Sequence, residues 1–224
     1  MKLVITCEHG GNQIPSAYTF IFKNQQELLN SHRAWDLGIL DAFNFVKEDA
    51  DFSKSSSISR LLIEKNRSLH HPNLFSPITK TLAFSVKQEI IEMHYLPYRK
   101  EVEEKIKNFL DDGDEVLHLS LHSFTPIWKD KKRTTEIGLL YDPKRTIEKF
   151  WVNKLKNSWK TLSSLKIRMN YPYLGTADGF TTHLRKQFPK NYSGIEIELN
   201  QGLLEEGHFP LRVKQNLRNM IQRL

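Results

Sequence analysis

Apolar and polar positions along this chain recur with two different periods, and the switches between them divide it into strands and helices. "KLVIT" (2–6) is an apolar run of strand type. "SHRAWDLGILDAFNFV" (31–46) carries Trp35, Ile39, Ala42 and Val46 at helical spacing. "ISRLLI" (58–63) reads as a strand, and "FSVKQEIIEMHYLPYRKEVEEKIKNFL" (84–110) as a helix that Pro97 kinks or splits. "EVLHLSLHS" (115–123) and "EIGLLYD" (136–142) read as strands, "TIEKFWVNKLKNSWKTL" (146–162) as a helix and "KIRMN" (166–170) as a short strand. "DGFTTHLRKQF" (178–188) predicts a helix with Asp178 placed to cap it, and "GIEIELN" (194–200) a strand. "FPLRVKQNLRNMIQRL" (209–224) predicts a closing helix with Pro210 near its start. This alternation predicts an α/β fold, a mostly parallel sheet with helices on both faces, in one domain spanning residues 1–224. The serine-rich "SKSSSIS" (53–59) reads as a loop within it. In open sheets of this kind a ligand binds beyond the carboxyl ends of the strands.

Composition narrows the class. The chain has 224 residues, 39% apolar and 26% charged, as ordinary globular proteins do. No stretch approaches the roughly 20 apolar residues of a membrane span. The amino terminus lacks a basic segment followed by an apolar one and a small-residue cleavage site. The only cysteine, Cys7, excludes an internal disulfide framework and any multi-cysteine metal knuckle. The expectation is a cytoplasmic protein with no membrane partner. A net charge of +7 raises the question of nucleic acid. The basic residues, however, are interleaved with glutamates, as in "YRKEVEEKIKNF", and only "KDKKR" (129–133) is concentrated, in a loop between two strands. That mixing describes a solvated basic surface and no nucleic-acid partner.

The strand ends carry the chemistry. The first strand runs into "CEHGGN" (7–12), delivering Glu8 and His9 where two glycines bring the backbone close. Period-two alternation sets His118, Ser120 and His122 on one face of the third strand candidate and Leu117, Leu119 and Leu121 on the other. His118 lies too far from the strand end to belong to a site and reads as structural. Glu196 and Glu198 share a face of "GIEIELN". Two histidines and a carboxylate at one sheet edge are the ligand set of a hydrolytic zinc site, and a further carboxylate can take a proton from the attacking water. The helical "HExxH" site is absent. In "SRLLIEKNRS" (59–68), Arg60, Asn66 and Arg67 form a compact set of donors suited to a substrate carboxylate and a developing oxyanion. Gly175 and Gly179 bracket Asp178, which can hold the arginines, meet the substrate or cap its helix. His183 and Arg185 read as ordinary residues on a helix face.

The order of these groups resembles the plan of the zinc carboxypeptidase and aspartoacylase superfamily, and within it the N-formylglutamate amidohydrolase family. The motifs that carry the resemblance are "CEHGGNQIP", "HRAWDLG", "SRLLIEKNRS", "LHSF", "YPYLGTADGFTTHLR" and "IEIELNQG", spanning residues 7 to 202. The resemblance implies a three-layer α/β domain with a central mixed, mostly parallel sheet, phosphorylase/hydrolase-like as in zinc exopeptidases. It implies one zinc ion per chain, with His9 and His122 as ligands, Glu198 as general base, Arg60 near the oxyanion, and Asn66 and Arg67 on a substrate carboxylate. Carboxypeptidases carry "HxxE" at the first site, whereas the residue three after His9 is Asn12. The second ligand therefore falls to Asp36, as in zinc amidases of cell-wall peptides where a helix acid follows the first histidine, with Glu8 and Asn12 as alternatives. The implied activity is cleavage of an N-acyl amino acid, N-formyl-L-glutamate giving formate and glutamate. Its rivals are a non-catalytic carboxylate-binding module of the same fold, and a metallo-carboxypeptidase or peptidoglycan-type amidase acting on peptides.

Overall fold

The computed structural model describes residues 1–224. In chain order the elements are β1 (Lys2–Cys7), α1 (Gln26–Leu29), α2 (Ile39–Val46), β2 (Phe52–Ser55), α3 (Phe84–Ile90), α4 (Leu96–Asp111), β3 (Val116–Phe124), β4 (Ile127–Trp128) and β5 (Lys131–Lys132). They continue with β6 (Ile137–Leu140), α5 (Thr146–Leu162), β7 (Ile167–Met169), α6 (Phe180–Gln187), β8 (Tyr192–Asn200) and α7 (Leu211–Ile221). Six strands form one sheet in the order β2-β1-β3-β8-β6-β7, while β4 and β5 make a separate hairpin. All sheet pairings are parallel except β6 against β8, so the sheet is mixed and mostly parallel, as the alternation of elements predicts.

The period-two pattern sorts the sheet's faces. Leu117, Leu119 and Leu121 of β3 join Leu3, Ile5 and Cys7 of β1 and Ile195, Ile197 and Leu199 of β8 in the main core, under α2, α5 and α7. On the other face Val4, Val116 and Tyr192 meet Tyr98, Val102 and Ile106 of α4 and Phe180 and Leu184 of α6. A third cluster lies beside these layers, where Leu61, Leu62 and Ile63 pack on Tyr18, Phe22, Ala34, Ile90 and Tyr95. No helix is long and apolar enough to cross a membrane.

Three predicted elements are corrected. The segment 58–63 is a buried loop, tied to the chain by an isolated bridge between Gln13 and Ile58 and by Arg60 N–H donating to the Ala34 carbonyl at 3.0 Å. Its apolar run answers to the third core cluster, and an apolar run alone does not distinguish strand from buried loop. The strand in this region is β2, inside the serine-rich stretch read as a loop, and it pairs with β1 from Val4↔Phe52 to Cys7↔Ser55. The helix expected over 31–46 starts only at Ile39, after Gly38 at φ 75°, a left-handed conformation favoured by glycine. Any side chain there would also meet Leu204 and Phe209. Over 84–110 the chain stays helical through a π-helical turn (Ile91–Tyr95), and Pro97 follows that turn at the start of α4 without splitting the helix.

Arg185 is another correction, because it is buried. Its Nε donates to Glu148 Oε1 at 2.8 Å and its Nη2 to the Gly194 carbonyl at 2.7 Å, joining α6 to α5 and β8. Glu148 is fully buried and accepts further from the Asp142 N–H at 2.8 Å. Arg145 Nε also lies 3.2 Å from Glu148 Oε1, so losing Arg185 leaves that carboxylate one cation. Arg185→Met is therefore expected to lower stability by about 1–3 kcal/mol in urea unfolding, and adding Glu148→Gln should recover part of it. Two variants of equal stability would show that the pair does not anchor these elements.

Candidate active site

Each group is delivered by an element whose geometry the sequence accounts for. His9 follows β1 by two residues, and the Asp36 N–H donates to the His9 carbonyl at 2.9 Å, locking the segment before α2 onto the end of β1. His122 lies near the end of β3, with Glu198 directly across the ladder on β8 and Glu196 facing Ser120. One ligand-type atom from each of His9, Asp36 and His122 lies within 4.8 Å of the others, and all three residues are buried. His122 Nδ1 is 3.0 Å, and His9 Nδ1 3.5 Å, from Asp36 Oδ2.

The far nitrogens of both imidazoles are held by carboxylates. His9 Nε2 bonds Glu64 Oε1. His122 Nε2 lies 3.3 Å from Glu8 Oε2 and 2.9 Å from Ser120 Oγ, and Ser120 itself donates to Glu8 at 2.6 Å. Burial and the charge of Arg60 hold His9 down to about 4, so its ring is neutral at neutral pH. A carboxylate accepts only, so the proton is assigned to Nε2 and Nδ1 presents a lone pair. That Nδ1 is buried and has no hydrogen-bond partner. For His122 burial opposes the charged form, but the Glu8 hydrogen bond and charge outweigh it and lift the ring to about 9. Its Nδ1 faces Asp36.

A cavity of about 220 Å³ opens over the three residues and is also lined by Arg60, Glu64, Asn66, Arg67, Asp178, Glu196 and Glu198. The sequence-predicted site residues therefore meet in one place. The guanidinium of Arg60 pairs with Asp36 Oδ1. Asn66 Oδ1 accepts from the Phe180 N–H at 2.7 Å, at the start of α6. Arg67 donates to the Asp178 carbonyl. Asp178 is not a helix cap, for its carboxylate accepts from the Ser68 N–H at 3.0 Å and α6 starts without a side-chain cap. The two glutamates of β8 differ. Glu196 accepts from Thr181 Oγ1 at 2.6 Å, whereas Glu198 Oε2 has no partner. Burial, with the charge of Glu196 beside it, pushes the Glu198 carboxyl up to about 7 despite the opposing pull of His122.

The alternatives to Asp36 lie outside the cluster. Glu8 sits behind His122, on its Nε2 side, where Tyr98 also donates to it at 3.0 Å. Asn12 turns away to the Leu29 carbonyl at 2.9 Å. His118 is structural as read, with Thr6 Oγ1 at 2.7 Å on one nitrogen and Tyr192 Oη at 2.8 Å on the other. Sequence reasoning missed Glu64. It stands two residues before Asn66 in the quoted donor motif, yet a single loop acid has no periodicity to mark it.

The sheet, the polar cavity at its strand ends and a buried carboxyl held near neutrality together define an α/β enzyme with the groups for hydrolysis. A model of the family described as N-formylglutamate amidohydrolase matches residues 1–204, and the chain belongs to that family. Its enzymatic class is that of a hydrolase acting on amide bonds. Among solved structures it is similar to the gene product Atu2144 of Agrobacterium tumefaciens, with TM-score 0.78 and 24% identity over 98% of this chain and 88% of that one. It is also similar to N-formylglutamate amidohydrolase from Ralstonia eutropha JMP134, with TM-score 0.74 and 17% identity over 100% of this chain and 92% of that one. Both likenesses establish the fold. No curated protein matches the chain.

The loop 64–68, which carries Glu64, Asn66 and Arg67, depends on outside donors. Tyr95 Oη donates to the Arg67 carbonyl at 2.6 Å, and Arg99 Nη1 donates to the Lys65 and Arg67 carbonyls at 3.1 and 3.2 Å. Tyr95→Phe is expected to lower global stability by about 1 kcal/mol. Amide exchange should quicken at residues 65–68 while β3 keeps its protection; unchanged exchange there would show that the tyrosine does not hold the loop.

Proposed function

We propose that the chain is a zinc-dependent amidohydrolase of N-acyl amino acids, hydrolysing N-formyl-L-glutamate to formate and L-glutamate. The observation that carries this reading is the unpartnered Nδ1 of His9, a buried neutral imidazole facing Asp36 and His122. Two imidazoles and a carboxylate, each imidazole backed on its far side by an acid, are a donor set that fits zinc and fixes the tautomer it needs. His9, Asp36 and His122 would hold one zinc ion per chain. Bound there, zinc supplies Lewis acidity at the amide carbonyl and lowers the pKa of a water molecule.

The remaining work falls to the chain's own side chains. Glu198 takes a proton from the attacking water and returns it to the leaving amine nitrogen; a carboxyl held at about 7 suits both transfers. Arg60 places a guanidinium where negative charge develops on the carbonyl oxygen. Asn66 and Arg67 grip the carboxylate of the amino-acid half, and Asp178 steadies them through Arg67 and Ser68. Residues 1–224 act as one catalytic domain, because the site draws on segments from His9 to Glu198. The single, buried thiol of Cys7 suits a reducing cytoplasm.

Elemental analysis of the purified protein tests the metal. One zinc per chain is expected, His122→Ala should lose it, and Glu64→Gln should weaken its binding by about 10–100-fold. Stoichiometric zinc with full activity in His122→Ala would remove the ligand assignment.

Glu198→Gln keeps shape and hydrogen-bonding capacity but cannot accept a proton. It should retain zinc and substrate affinity while kcat falls by about 100-fold or more. Glu196→Gln should do less, since that carboxylate is engaged by Thr181. A folded, metal-loaded Glu196→Gln protein without activity would exchange the two roles.

A further inference from the structure

A second cavity, of about 320 Å³, adjoins the first and shares Asp36, Arg60 and Tyr173 with it. Asn66 and Arg67 line only the first cavity, whereas Arg33, Trp128 and Gln201 line only the second. A substrate whose amino-acid carboxylate lies on Arg67 therefore directs its acyl half past Arg60 into this second space. A formyl group is a single carbon and leaves it vacant.

The walls indicate what would fill it. Trp128, at the edge of the β4–β5 hairpin, and Tyr173 give an apolar wall, and the Arg133 guanidinium lies 5.4 Å from the ring of the first and 5.5 Å from that of the second. Arg133 thereby ties the hairpin to the segment before α6. Arg33, also in the lining, is exposed and its guanidinium has no ion pair or side-chain hydrogen bond. The two acids in the lining, Asp36 and Glu64, are already engaged by Arg60 and His9, so a free positive charge remains. His32 lines the same cavity as Arg33 and Arg60.

We propose that this second cavity is an acyl-side subsite for an ω-carboxyacyl group, whose methylenes lie on Trp128 and Tyr173 and whose terminal carboxylate meets Arg33. The inference rests on the amidohydrolase reading and extends its acyl half beyond formyl. The reaction is hydrolysis: water adds to the acyl carbon, the C–N bond breaks, the amine nitrogen takes the proton, and a dicarboxylate and an amino acid leave.

The test compares kcat/KM of the zinc-loaded protein for N-formyl-, N-pentanoyl- and N-glutaryl-L-glutamate, and for N-formyl-L-norvaline. N-glutaryl-L-glutamate is expected to exceed the neutral N-pentanoyl compound by about threefold to fivefold, the scale of an ion pair on an exposed arginine. Arg33→Ala should bring that ratio close to one and Arg33→Lys should keep part of it; Arg33 is exposed, so neither threatens folding. A preference for N-formyl over both larger acyl groups, with a glutaryl-to-pentanoyl ratio indifferent to Arg33→Ala, overturns the subsite and leaves the amidohydrolase reading standing. If Arg33→Ala instead lowers the preference for N-formyl-L-glutamate over N-formyl-L-norvaline, the cavity serves the amino-acid half and the proposal is wrong. Hydrolysis of none of the four would overturn the amidohydrolase reading and the subsite with it.

Discussion

Glu8 places a carboxylate on the polar face of the sheet, where 1% of the residue reaches solvent. A charge in that position is tolerated only when donors surround it. Tyr98 arrives from α4, and Ser120 and His122 from β3. Satisfying Glu8 thus seats α4 over β1 and β3, and it turns the ring of His122 so that Nδ1 faces Asp36. Burial lifts the Glu8 carboxyl, but the His122 hydrogen bond and charge hold it well below the usual carboxylate range, so it stays ionised at neutral pH. A slip of β3 by one residue would bring leucines to Glu8 and drive His118 and His122 into the apolar core, so this one charge also enforces the strand's register.

The same constraint recurs at His9, with a less rigid scaffold. Glu64 belongs to a loop with no ladder of its own, and buried backbone carbonyls in such a loop need donors from elsewhere. Arg99 and Tyr95 provide them, and the Arg99 guanidinium is fixed in turn between the Tyr95 ring at 5.1 Å and the Phe180 ring at 4.2 Å. Neighbouring residues of α4 therefore serve both imidazoles, Tyr98 through Glu8 and Arg99 through the loop that carries Glu64. The helix contributes no group to the cavity, yet the aim of two site histidines depends on it.

What the sequence made legible follows from this division. The alternation in β3 and β8 is a local property, and it correctly placed His122, Glu196 and Glu198 on the polar face and the leucines and isoleucines in the core. The run "ISRLLI" misled because its burial is answered by α1, the π-helical turn and loop neighbours rather than by a sheet. Residues 31–38 misled because Asp36 is held by the His9 carbonyl and Gly38 turns the chain before α2, neither of which alters the 3.6-residue spacing of apolar positions. Glu64 and Arg185 were illegible because each acquires its role from a partner far off in sequence, and pattern reading sees only neighbours.

Periodicity supplied two equivalent glutamates on β8; hydrogen bonding makes them unequal. Thr181, on the first turn of α6, engages Glu196 and leaves its neighbour two residues on without a donor. An unpartnered, buried carboxylate beside another carboxylate is the arrangement that raises a pKa toward neutrality. The same helix start receives Asn66 through the Phe180 N–H and follows directly on Asp178, which holds Ser68 and Arg67. A shift of α6 would therefore release Glu196, return it to competition with Glu198 and loosen the arginine at the opposite wall in one movement. Glu198 on one wall and Arg67 on the other thus rest on one short helix, which the buried Arg185–Glu148 pair pins to β8 and α5.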